Sequence, residues 1–323
     1  MRPAPGTRTV QVAVLALVLA VAAVGIWVVA AARTIGDDEL AAARAHHDVE
    51  TLLASPELSE LPGPEGRELR DELRTQRDAL PQPSRRALER AAEDAGTGDR
   101  DGTAALPDRL LETAGTLLRS PAGSPQERAL HTSMAAHRIG TAVELGAEPA
   151  TALGVLPVLD AEDALPPPAG DAQAPSADGD RPHPELALAR QLDQLREAEL
   201  TWASLAPQQR PSSARGQALV PVRDGSWWET TAERHPSVID GALGMPEQFR
   251  TAPDEAQEQL IEALEDTALA QAAAAGTGQD TGASVSISAD AGRSVLVRLA
   301  VADAEASRPI EALPGLVGGA DDG

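Results

Sequence analysis

Glu199 and Asp303 are the two carboxylates whose positions set them apart in this acidic chain. Glu199 falls between Leu192, Leu195 and Trp202 on one helical face, and Asp303 falls on the face of Leu296, Leu299 and Ala300. Steps of three and four place such residues on one side of a helix. A buried carboxylate needs a partner or takes up a proton. If the two met, they would supply the acid and base of a proton-transfer reaction, with Arg138, Arg196 and Arg298 as counter-charges. The alternative reading, preferred here, puts both at the solvated ends of wide apolar stripes. His137 lies on the stripe of Leu130, Met134, Thr141 and Leu145 and reads as a core histidine held by hydrogen bonds.

The remaining histidines give no metal set. His46 and His47 precede Asp48 and Glu50, but neighbours on a helix diverge by about 100 degrees. His47 with Glu50 reads as a solvated face. Glu127 and His131 are four apart without a second such pair, and His131 and His137 point about 120 degrees apart. With no Glu-x-x-His step the di-iron ligand pattern is missing. Gly-x-Ser-x-Gly is absent, Ser-x-x-Lys is impossible without lysine, and zero cysteine removes thiolate chemistry and disulfides. No cofactor or metal is expected.

Trp227 and Trp228, in "GSWWETTAERHP", form the other conspicuous pair. The chain has four Trp, one Phe, and no Tyr, Lys or Asn, as a GC-rich, actinobacterial type of gene would give. Tryptophan is then the aromatic residue most readily supplied. The two rings read as anchors capping a slender core, ahead of a platform for cell-wall sugars. The net charge of -23, from 50 acidic and 27 basic residues, opposes a phosphate backbone and excludes nucleic acid as a partner.

These residues need elements to hold them. From Val12 to Ala32 no side chain is polar or charged, and about 20 such residues span a bilayer as a helix. Arg2 and Arg8 precede the run, while Asp37, Asp38 and Glu39 follow it. The expectation is a signal anchor at 12–32, residues 1–11 in the cytoplasm and the rest outside. A cleaved signal peptide ending at Ala30, Ala31 and Ala32 is the rival, but the run exceeds the usual length of about 7 to 15 residues.

Beyond it the pattern is helical. "DDELAAARAHHDVETLLAS" could extend the anchor helix outward, and "GRELRDELRTQRDAL" carries a thin apolar stripe. Residues 33–123 therefore read as a juxtamembrane helical layer or stalk. "SPQE" at Ser124 is a capping box with proline at the first helical position, opening a helix to about Leu145. Further helices run from Pro184 to about Leu205, from Thr251 or Pro253 to Gly276, and over 288–307, with "SVSIS" as its start. Residues 160–183, rich in Pro, Ala, Asp and Gly, form a loop or linker.

Four amphipathic helices in 124–316, paired around a crossover between Leu205 and Thr251, predict an all-α fold: a four-helix bundle with one long crossover, and a disordered tail at 317–323. The stretches "HTSMAAHRIGTAVELGAEP", "VLPVLDAEDA" and "ELALARQLDQLREAELTWASL" resemble a ferritin-like domain of unknown function in secreted and membrane-anchored actinobacterial proteins. What that resemblance implies is the fold, with no established activity. The expected protein is a single-pass cell-membrane protein with a non-catalytic role, contacting an envelope protein or the cell wall. The alternative is a ferritin-like bundle with metal-binding or oxidative chemistry.

Overall fold

The computed structural model describes residues 35–96, 104–120, 123–156, 184–212, 214–223, 248–274 and 282–313. Among the described residues every regular element is helical and none is a strand. The apolar run at 12–32, the 160–183 stretch, Trp227, Trp228 and the 317–323 tail lie outside them. No helix among the described residues is long and apolar enough to cross a membrane.

The N-terminal half is built from α1 (Asp37–Leu53), α2 (Pro56–Glu60), α3 (Glu65–Ala79), α4 (Arg85–Gly96) and α5 (Leu106–Arg119). It continues through α6 (Pro125–Glu144) and α7 (Pro149–Leu153). The C-terminal half holds α8 (Pro184–Ala203), α9 (Ala214–Arg223), α10 (Gln248–Thr251), α11 (Pro253–Ala274) and α12 (Gly282–Glu305). α1 does not extend an anchor helix through Gly36, which is extended at φ -66° and ψ 151°. Asp37, Asp38 and Glu39 fill its first turn, where the free N–H groups favour negative charge.

α6 is the centre of the molecule. Ser124 Oγ accepts from the Glu127 backbone N–H at 3.1 Å and Glu127 Oε2 accepts from the Ser124 N–H at 3.0 Å, so the capping box fixes where the helix starts. The expectation of one apolar stripe is corrected: every residue from Arg128 to Ala142 is buried. A helix enclosed on all sides can be read from composition only when it is uniformly apolar, and this one carries Arg, His, Ser and Thr. α5 packs on it from one side, α11 and α12 from others. Gly140 lets α12 approach: a Cβ there would stand 3.0 Å from the Ala300 carbonyl oxygen and would strike the Ile310 side chain.

The four helices expected from the sequence, α6, α8, α11 and α12, all form, and "SVSIS" lies within α12. Their neighbours differ from a simple four-helix set. α8 packs on α11, and α9, from within the expected crossover, packs on α12 and α8. α11 and α12 touch closely because Gly292 of α12 lies against the backbone of Ala268 and Ala272. Trp202 of α8 stacks at a tilt on Phe249 of α10, 6.1 Å between ring centres, and donates its indole N–H to the Phe249 carbonyl at 2.9 Å.

One apolar core runs from Ala45 and Leu52 through Leu73, Leu110 and Met134 to Leu264 and Val301. It passes through the expected boundary at 123/124 without a break, so α1, α3 and α5 contribute to a deep core. A smaller seam of Ala43, Ala87 and Ala91 holds α4 against α1.

Candidate functional site

α3, the end of α6 and the end of α12 enclose a cleft of about 590 Å³. Glu65, Glu68 and Glu72 line it from α3, Glu144 from α6 and Glu305 from α12, with Arg308 as the one basic side chain of the lining. Leu61, Leu69, Val143, Leu145 and Ile310 supply its apolar part. Steps of three and four put the α3 glutamates on one face. The carboxyl of Glu144 is raised from its ordinary value by desolvation and by the charges of Glu72 and Glu65.

The third wall depends on how α12 ends. Ser307 adopts a left-handed backbone, φ 53°. Its N–H reaches the Ala304 carbonyl at 3.0 Å, and the Arg308 N–H reaches that of Asp303 at 2.9 Å, the pattern of a glycine-type helix stop made here with serine. The chain then turns so that residues 308–310 line the cleft.

Behind the cleft lies a buried polar relay. Arg138 is fully buried and its Nε donates to Gln76 Oε1 at 3.2 Å. A guanidinium can only donate, so Gln76 turns its oxygen to Arg138 and its amide nitrogen to the other side. That nitrogen donates to His137 Nδ1 at 2.8 Å and to the Ala312 carbonyl at 3.2 Å. His137 therefore carries its proton on Nε2, from which it donates to Glu72 Oε2 at 3.2 Å. The sequence reading of His137 as a hydrogen-bonded core residue matches this geometry. Missed was its partner Gln76, 61 positions away, which no local spacing reveals. Arg138 Nη1 and Nη2 meet no acceptor among the described residues, and burial lowers the Arg138 pKa to about 10.

Asp303 and Glu199 both approach the first turn of α9. Asp303, expected at the solvated end of its stripe, is buried instead and accepts from Arg215 Nε at 2.6 Å and Nη2 at 2.9 Å. Arg215 also reaches Glu258 of α11 at 2.8 Å, and Arg308 meets the same carboxylate at 3.1 Å. The counter-charge of Asp303 is thus Arg215, which the sequence reading did not name, while Arg298 bonds Ser294 at 3.2 Å. Glu199 is half-buried with its carboxylate against Gly216, so closely that a Cβ on Gly216 would overlap it. Asp303 reads as a structural anchor, since both its oxygens are held by Arg215. Nearby, burial raises Glu265 to about 7, opposed by Arg215 and reinforced by Asp303, Glu311 and Asp266.

The other histidines sit apart. His46 Nε2 lies 3.1 Å from the Pro81 carbonyl oxygen, while Glu50 pairs with Arg77 at 3.6 Å. His131 is buried and its pKa is lowered to about 4 by desolvation, and Glu127 is engaged in the capping box. No three His, Asp or Glu side chains among the described residues come together as a metal set. Set beside known proteins, the chain matches no family model, no curated protein and no solved structure.

Proposed function

We propose that this protein is anchored in the cell membrane by residues 12–32, places its helical body outside the cytoplasm, and works by binding a partner. The observation that carries the binding role is the cleft of about 590 Å³, with five glutamates around apolar side chains. Its volume falls in the range of ligand sites. The buried groups behind it, Arg138, Gln76 and His137, are linked in a row that ends on Glu72. That gives them a positioning role for Glu72. The anchor reading rests on the unbroken apolar run and on Arg2 and Arg8 before it. Trp227 and Trp228 are proposed as anchors of the segment between α9 and α10.

The test is photo-crosslinking in intact membranes of the cells that make the protein. A crosslinker at position 145, in the cleft, should give a discrete adduct that one at position 89, on the exposed face of α4, does not. The reading fails if neither gives an adduct, or if the purified full-length protein carries stoichiometric iron or manganese.

A further inference from the structure

We infer that the cleft between α3, α6 and α12 receives a cationic, amphipathic segment of another polypeptide, its basic side chains meeting the glutamates and its apolar ones the floor. This rests on the binding role proposed above and names the partner's chemistry. Five carboxylates against one Arg308 leave the cleft strongly negative. The Glu144 carboxyl is raised first by desolvation and then by the charges of Glu72 and Glu65. Those charges act on one another, and a cation placed among them relieves that repulsion. Half-buried Leu61, Val143, Leu145 and Ile310 line the same space. A small hydrated ion leaves such surface in water, whereas a segment alternating basic and apolar residues covers it.

Charge also says where the segment comes from. The stretches 157–183, 224–247 and 314–323 each hold more carboxylates than arginines, and a second copy brings a net charge of -23. All are repelled by the cleft. Arg2 and Arg8 lie across the membrane from it in the proposed topology. The occupant is therefore a different chain, and like-charge repulsion keeps the protein's own acidic segments out.

Binding of fluorescein-labelled twelve-residue peptides to the full-length protein in detergent micelles tests this, using alternating Arg-Leu, alternating Arg-Gly and alternating Glu-Leu sequences. Arg-Leu should bind at least about tenfold more tightly than Arg-Gly, and Glu-Leu not at all. Glu68→Arg with Glu144→Arg should weaken Arg-Leu binding at least about tenfold, while Glu89→Arg with Glu93→Arg on α4 leaves it unchanged. Since the four positions are exposed, thermal melts should confirm that both double variants fold. Leu145→Ser should weaken Arg-Leu but not Arg-Gly. Equal loss in both charge-reversed variants would mean general attraction to an acidic protein and would overturn the proposal. So would full displacement by micromolar spermidine or manganese, which would mark a small-cation site. If no peptide binds while the position 145 adduct persists, the partner's chemistry is wrong and the binding role stands; if both are absent, both readings fall.

Discussion

Arg215 of α9 grips both oxygens of Asp303 of α12, at 2.6 and 2.9 Å, across 88 positions of sequence. The pair fastens α9 to α12. Breaking such a pair leaves an uncompensated charge in poor solvent. Arg215→Ala should cost about 3 kcal/mol in urea unfolding. Asp303→Asn in the same chain should add much less than it costs alone. Additive losses would show that the two side chains are not energetically coupled.

Glu265 gives the protein a pH dependence of known sign. Its folded pKa, about 7, lies above the ordinary 4.5 because burial disfavours the carboxylate. The folded state thus holds the proton more tightly than the unfolded one. That contribution to stability is complete below about 4.5 and is lost as pH rises through 7. Glu265→Gln should flatten the fall in urea midpoint between pH 5 and 8. An unchanged slope would show that another group titrates there.

Gln76 has three polar contacts and no exposure. Gln76→Leu keeps the bulk but strands His137 Nδ1 and Arg138 Nε, at a cost of about 2–4 kcal/mol. Loss of the relay also frees Glu72 from a fixed position. The histidine NMR signal of Nε2–H tautomeric His137 should shift or broaden, and a silent spectrum would refute the relay.

Ser307 holds a left-handed conformation that costs L-residues about 1 kcal/mol. Ser307→Gly should raise stability by about 0.5–1 kcal/mol. In contrast, Gly292→Ala should lower it by about 1–3 kcal/mol, because its methyl would press on the α11 backbone at Ala268. Thermal unfolding of the two variants in opposite directions checks both claims.

Elements with signals inside one turn were legible in the sequence. The Ser124 box, the proline starts of α8 and α11, and the stripe containing Trp202 all correspond to helices in place. α5 carries the same kind of signal, since Leu106, Leu110, Leu117 and Leu118 fall at helical steps. α9, in the stretch read as a crossover, was hidden by Pro221 within it. For the site, His137 was legible as a polar residue on an apolar face, whereas Asp303, on such a face too, was assigned to its solvated end. Their partners Gln76 and Arg215 were not legible, because they arrive from elements 61 and 88 positions away. The three α3 glutamates of the cleft looked like a solvated helix face, and only the return of residues 308–310 makes them a wall.

The enclosure of α6 also sets an order of events during synthesis. α5 emerges just before it and can cover one side at once. The helices that cover its other sides, α11 and α12, begin at Pro253, about 110 residues after α6 ends at Glu144. At roughly 5–20 residues per second, α6 waits at least about 5–20 s with the sides that carry Arg128 and Gly140 uncovered. During that interval the nascent chain depends on whatever holds it apart from its neighbours, and a stop codon near position 252 would make the exposure permanent.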